Sequence, residues 1–238
     1  MRDSQADLAG HPDRQRWNAR YGEGFGASFS PHPLAVRALS AALPDGPVAE
    51  LASGLSGAAL MAAAAGRRVT AVDIADTALD LLGQEAQRRG VRELITLVHA
   101  DLAQWRPEPG RYALVLCTGY WDRAVFAAAV TGVAPGGLIA WEAFTQAARH
   151  ARPGLCPQWC LAPGEPACLL PAGFEILDTS DLPGCGQGAK RAMLARRQLP
   201  CRPRSGLGAA PGPGPGQAAG RGPDGPRPAA APDPLPCA

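Results

Sequence analysis

The sequence predicts an α/β protein: a mostly parallel, doubly wound sheet of seven strands that ends in an antiparallel hairpin. Three observations predict it. Short, continuously apolar runs alternate with helix-forming stretches through the first two hundred residues, the pattern that places helices on both faces of a buried parallel sheet. A turn of small residues follows the first of these runs. The last two runs are separated by a Gly-rich loop with no room for a crossover helix, so they must be antiparallel neighbours.

Taken in order, residues 13–21 read as a short helix and residues 31–43 as a second, with Pro31 near its first turn. Pro44, Asp45, Gly46 and Pro47 then mark a turn. Residues 48–51 form the first strand, and the small-residue segment 52–57 leads into an alanine-rich helix that ends at Gly66. The second strand covers 68–74, followed by a helix over 76–89 that Gly90 closes as a C-terminal cap. Residues 94–98 and 112–117 are the third and fourth strands, and 122–133 is a helix. The fifth strand, 137–144, follows a Pro135-Gly136-Gly137 turn, and 174–179 and 191–196 make the closing pair.

Composition narrows the function classes. A chain of 238 residues with 46% apolar content holds one ordinary domain and an appendage. The last 39 residues contain eleven of the 25 prolines and eight of the 29 glycines, too little apolar content to offset the entropy of ordering. Up to Leu199 there are 19 basic and 19 acidic residues, which does not indicate a nucleic-acid surface. The seven cysteines show neither a disulfide framework nor a zinc-ribbon spacing, so no metal is expected and a reducing compartment is the simplest setting. The acidic, polar start does not read as a signal peptide, and the longest apolar stretch, 58–65, is far short of the roughly 20 residues that span a bilayer. A cytoplasmic protein without membrane contact is expected.

The chemistry centres on Glu50-Leu51-Ala52-Ser53-Gly54-Leu55-Ser56-Gly57, at the first strand-to-helix turn. Small residues there let the backbone approach a ligand, and the helix start offers free N–H groups. Read as Ala52-x-Gly54-x-x-Gly57, the segment approximates a dinucleotide-binding turn with its first glycine replaced. Asp73, at the end of the second strand, is placed to accept both ribose hydroxyls of an adenosine ligand. His99-Ala100-Asp101-Leu102, after the third strand, offers an acid and an apolar side chain to an adenine ring. Three successive strand ends therefore face one crevice.

With these motifs the sequence resembles the class I methyltransferases that use S-adenosylmethionine (SAM), whose sheet is Rossmann-like, and in particular the small ones related to tellurite-resistance methyltransferases. The resemblance covers about residues 16–197, through Arg16-Trp17-Asn18-Ala19-Arg20-Tyr21, residues 48–57 and 69–75, Ala100-Asp101-Leu102, Ala134-Pro135-Gly136-Gly137-Leu138 and Gly173-Phe174-Glu175. It implies an N-terminal lid over residues 1–30 that contains Trp17 and Tyr21 and a SAM-dependent methyltransferase domain over 31–198, to which the composition adds a disordered Pro/Gly/Ala-rich tail over 199–238. It further implies that Glu50 anchors the first loop near the methionine amino group and that Ser53 and Gly54 meet the methionine portion through backbone. Asp73, with Ile74 beside it, would bind the ribose, Asp101 and Leu102 the adenine, and Cys117 and Thr118 would lie near the sulfonium. The family's E/D-x-G-x-G-x-G has Ala52 for its first glycine here and Ser56 for its third, with Gly57 one place late.

The implied reaction is in-line transfer of an activated methyl group to a small-molecule acceptor. Positioning and exclusion of water supply most of the rate, and a base is needed only where the acceptor must lose a proton. Tyr120, Asp122, Glu142, His32 and His150 are the acceptor-side candidates. The competing readings are a SAM-binding protein without catalysis and a nicotinamide-dependent oxidoreductase; Glu50, the helices ahead of the first strand and the terminal hairpin speak against the second. Bland alternatives are concrete: Asp73 as a helix-capping acid, although Asp76 is better placed to cap the helix after strand two, Asp101 as a turn cap, His32 and His150 as solvated loop residues, and Trp105, Trp121, Trp141 and Trp159 as packing residues, with Trp121 and Trp141 placed to border the pocket as the other reading.

Overall fold

Each of the seven apolar runs becomes a strand: β1 (Val48–Leu51), β2 (Val69–Asp73), β3 (Ile95–His99), β4 (Tyr112–Thr118), β5 (Val133–Phe144), β6 (Phe174–Leu182) and β7 (Lys190–Arg197). The computed structural model describes residues 8–24, 28–182 and 188–200. Among the described residues, five α-helices accompany the strands: α1 (Pro12–Gly22), α2 (Pro33–Ser40), α3 (Gly57–Ala64), α4 (Asp76–Arg88) and α5 (Arg123–Gly132). The strand order is β3-β2-β1-β4-β5-β7-β6. Pairs among β1 to β5 are parallel, and β7 is antiparallel to both β5 and β6.

Two apolar layers sandwich the sheet, and β4 shows why. Its side chains alternate faces, so Leu114 and Leu116 join the layer of Leu34, Leu60 and Leu82 from α2, α3 and α4. Val115 and Cys117 join Val125, Phe126 and Trp141 on the α5 side. Among these, Trp121, Phe126 and Trp141 meet at 5.1–6.2 Å between ring centroids, with Trp141 edge-on to both partners.

Helix ends follow local chemistry. His32 caps α2, its Nδ1 accepting the Leu34 N–H at 3.2 Å, so this helix starts at Pro33 and not at Pro31. At the other end of α4, Gly90 takes φ 70° and the Val91 N–H reaches the Ala86 carbonyl at 2.9 Å, closing the helix as a glycine cap does. Asp76 does not cap α4, because its carboxylate is taken by Arg14 and Asn18 of α1, both at 2.6 Å. The cap is supplied across the interface by Asn18, whose Oδ1 accepts the Thr77 N–H at 3.2 Å.

Two further departures concern strands. Residues 92–94 make a single tight turn, so β3 starts at Ile95 and runs on to His99. The expected Pro135-Gly136-Gly137 turn is instead a bulge inside β5. Register passes from Tyr112 opposite Val133 to Leu114 opposite Leu138, and Gly136 at φ 78° absorbs the surplus residues. Gly137 is needed there, since a Cβ would stand 2.9 Å from the Ala113 carbonyl oxygen.

The tail expectation falls on residues 201–238, outside the described residues, as do residues 1–7 and 25–27 of the lid segment. Among the described residues, no helix is long and apolar enough to cross a membrane.

Candidate active site

The order of the parallel strands reverses between β1 and β4, and such a switch point opens a crevice beyond the C-terminal strand ends. A cavity of about 600 Å³ occupies it. The tips of β2, β1, β4 and β5 contribute Asp73, Ala52, Thr118 and Phe144 to its floor, and α1 roofs it with Trp17 and Tyr21.

The β1 turn is held from behind. Glu50 is buried, and its carboxylate accepts the Ser56 hydroxyl, whose oxygen in turn accepts the Ala59 N–H at 2.8 Å and caps α3. Burial pushes the Glu50 carboxyl up to about 7, against the lowering effect of the Ser56 hydrogen bond. Asp73 ties the second strand end to the same turn, accepting the Gly54 N–H at 2.7 Å on one oxygen and the Ala75 N–H at 2.8 Å on the other. Its carboxyl is raised by burial, opposed by those backbone donors. Ser53 Oγ is buried and meets no hydrogen-bond partner among the described residues.

Seven of the expected site residues line the cavity: Trp17, Tyr21, Asp73, Ile74, Asp101, Leu102 and Thr118. Trp17 and Tyr21 stack one helical turn apart with centroids at 5.8 Å. Tyr21 presses on the β1 turn so closely that a Cβ at Gly54 would lie 2.4 Å from its hydroxyl. Burial, then the nearby Asp73, raises the Tyr21 phenol, which therefore stays protonated. Asp101 also caps its own turn, its Oδ1 accepting the Ala103 N–H at 2.9 Å. Glu50, Ser53, Gly54 and Cys117 stand behind the cavity wall. The Cys117 side chain is wholly buried in the α5-side layer, and it is its neighbour Thr118 that faces the space.

Of the acceptor-side candidates, only Tyr120 borders the cavity. Asp122 caps α5 through the Val125 N–H at 2.9 Å. Glu142 is 1% exposed and accepts from Lys190 Nζ at 2.9 Å and His32 Nε2 at 3.3 Å. Burial pushes its carboxyl up, but these two partners outweigh that and hold it below the usual range. His150 is exposed, with its ring bonded to the Ala147 carbonyl at 3.0 Å.

Solved structures share this architecture at low identity. The geranyl diphosphate C-methyltransferase of Streptomyces coelicolor, in complex with Mg2+, geranyl diphosphate and S-adenosyl-L-homocysteine, superposes with a TM-score of 0.58 at 13% identity, over 83% of this chain and 89% of that one. A SAM-dependent methyltransferase of Mesorhizobium loti gives 0.55 at 17% identity, over 68% and 96%. The cyclase SpnF gives 0.55 at 15% identity, over 70% and 79%. No curated protein matches the sequence. Residues 48–137, from β1 through the β5 bulge, match the family model described as a methyltransferase domain. That segment is therefore matched as a methyltransferase domain, on a fold that solved SAM-dependent methyltransferases share.

The β1 turn departs from the glycine turn of the family the sequence resembles for reasons its geometry makes plain. Ser56 is an α3 cap tied to Glu50, a task glycine has no side chain to perform. Gly57 is set by packing against a neighbouring segment, because a Cβ there would lie 2.3–2.4 Å from the backbone of residues 29–31. The backbone strain sits at Ala52, which takes φ 49° in the left-handed region that glycine occupies freely.

Sequence reasoning missed part of the cavity. Asp13, Arg16, Trp17, Arg20 and Tyr21 all line it, and their spacing marks a single helix face that would have named them together. Trp159, expected to be a packing residue, is 41% exposed at the cavity, where the Arg16 guanidinium stacks 5.4 Å from its ring. Trp141 does pack, while Trp121 is both buried and part of the wall. Phe144, Arg152, Gly154 and Leu155 complete the far end, and residues 145–170 carried no motif that pointed there.

Proposed function

We propose that this methyltransferase transfers the methyl group of SAM to a small-molecule acceptor by in-line displacement, with the cofactor between the β1 turn and the β2 and β3 tips. The carrying observation is the Asp73 carboxylate, which reaches the cavity while fastened to the Gly54 N–H at 2.7 Å. The residues fit the group: a carboxylate for ribose hydroxyls, a buried Ser53 hydroxyl without a partner among the described residues, and Asp101 with Leu102 for the base. A cavity of about 600 Å³ falls within the usual range for small-molecule sites, roughly 300–1,000 Å³.

SAM supplies a methyl group on a sulfonium; the S–CH3 bond breaks as the bond to the acceptor forms, and the electron pair stays on sulfur. The chain's own work is positional. Asp73, Ile74, Asp101 and Leu102 hold the nucleoside, while Gly54 and Ser53 approach the amino-acid portion, with Glu50 bracing the turn from behind. Trp17 and Tyr21 close the roof and exclude water, which strengthens every polar contact beneath them. Residues 1–30 act as the lid and residues 31–198 as the catalytic domain. The equal count of 19 basic and 19 acidic residues up to Leu199 supports a small acceptor over a nucleic acid.

Calorimetric titration with S-adenosylhomocysteine and, in parallel, NAD tests the assignment. Only the thioether nucleoside should bind, and Asp73→Ala should weaken it by about 2–3 kcal/mol, the scale of lost charged hydrogen bonds. Undiminished affinity in the variant would remove Asp73 from the site.

A further inference from the structure

The two ends of the cavity differ in charge. At the nucleoside end stand Asp73 and Asp101; three strand positions away, about 14 Å at the usual spacing, the β5 end is built from Phe144, Arg152, Leu155 and Trp159. Besides Arg20, which lies 5.0 Å from the Trp17 ring, three cations stack on aromatic rings in that quarter. Two carry their own counter-charge: Arg16, between Trp17 and Trp159, pairs with Asp13 at 3.0 Å, and Lys190, 5.2 Å from the Phe144 ring, pairs with the buried Glu142. The third is Arg152, whose guanidinium lies 4.9 Å from the Phe144 centroid and which pairs with no carboxylate among the described residues. Stacking leaves the guanidinium edge, with its fork of donors, available to an anion. Trp159, 41% exposed and lining the same cavity, offers aromatic surface to a planar ligand.

We propose that the acceptor is a small organic anion with a flat apolar body, its carboxylate or phosphate held by Arg152 beside Phe144 at the β5 end of the cavity. The inference rests on the methyl-transfer reading and adds the acceptor's chemical class. Arg152 selects the acceptor by charge and fixes its direction, so that the opposite end of the flat body points along the cavity toward Thr118 and the cofactor. Because the residue is exposed, its role is confined to the ligand, and the fold does not depend on it.

The experiment uses full-length protein saturated with S-adenosylhomocysteine, titrated with 2-naphthoate, 2-naphthyl phosphate and the neutral 2-naphthamide. Both anions should bind at least ten-fold more tightly than the amide, and the tighter of the two identifies the preferred head group. Arg152→Gln should abolish the preference while leaving the thermal midpoint and the affinity for S-adenosylhomocysteine unchanged. Equal binding of the amide, a preference that survives Arg152→Gln, or binding of none of the three overturns the inference. Failure of S-adenosylhomocysteine itself to bind would instead strike the cofactor assignment, so the two readings fail separately.

Discussion

The two ends of the cavity are built on opposite physical plans. The nucleoside end is a set of buried, mutually satisfied hydrogen bonds: Glu50 to Ser56, Ser56 to Ala59, and Asp73 to Gly54 and Ala75. The β5 end is an open arrangement of cations over rings, carried by residues 145–170, which Glu165 fastens to α5 through Arg123 and to its own turn through the Ala162 N–H. Buried networks of the first kind are costly to disturb, because a lost partner strands a desolvated group. Exposed cation–ring contacts contribute on the order of 1 kcal/mol and can be altered with little effect on folding. On the proposed reading, the difference teaches that the grip on the methyl donor is locked into the fold, while the acceptor end is free to vary.

Substitutions sharpen that contrast. The largest effect is expected of Gly57→Ala, whose Cβ would collide with the backbone of residues 29–31 at 2.3–2.4 Å. Destabilisation of about 3 kcal/mol should lower the thermal midpoint by roughly 10 °C in a domain of this size, read by calorimetry. A fall as small as that of the exposed Arg152→Gln would break the comparison.

Next comes pH. The Glu50 carboxyl is raised from 4.5 to about 7 in the folded protein, so the folded state holds a proton that the unfolded chain has released. The favourable contribution is fully present below pH 4.5 and is lost as pH rises through 7. Glu50→Gln should therefore flatten the stability profile between pH 4.5 and 7 and stabilise the protein relative to the parent at pH 8, measured by denaturant unfolding at each pH. An unchanged slope would show that Glu50 ionises normally.

The smallest effect is expected of Ala52→Gly, which relieves a left-handed backbone at φ 49° but loosens the unfolded chain. A net gain below about 1 kcal/mol, visible as a small rise in the denaturant midpoint, is the expected result. A loss would mean that the Ala52 methyl contributes more through its packing in the cavity wall than its backbone costs.

Legibility in the sequence followed the range of the forces involved. Strands, helices and the closing antiparallel pair were readable because each depends on a local run of apolar residues. The β5 bulge was not, since Pro135-Gly136-Gly137 has the chemistry of a turn and only the pairing of Val133 with Tyr112 keeps it in the strand. Among the expected site residues, Asp73 and Asp101, which line the cavity, were named from their place at strand ends. The family resemblance implied Cys117 beside Thr118, yet strand alternation turns its side chain into the α5-side layer. Asp76 read as a cap because caps are local, while Arg14 and Asn18, some sixty residues earlier, claim its carboxylate instead.

The amino-acid order alone determined the layered architecture, the strand-end carboxylates and the small-residue turn, because hydrophobic periodicity and turn chemistry act over a few residues. Tertiary structure decided what Ser56, Gly57 and Asp76 are for, which face of α1 closes the cavity, and that Arg152 and Phe144 stand opposite the nucleoside end. Those outcomes depend on contacts between segments distant in the chain, and such contacts exist only once the sheet has brought the strand ends together.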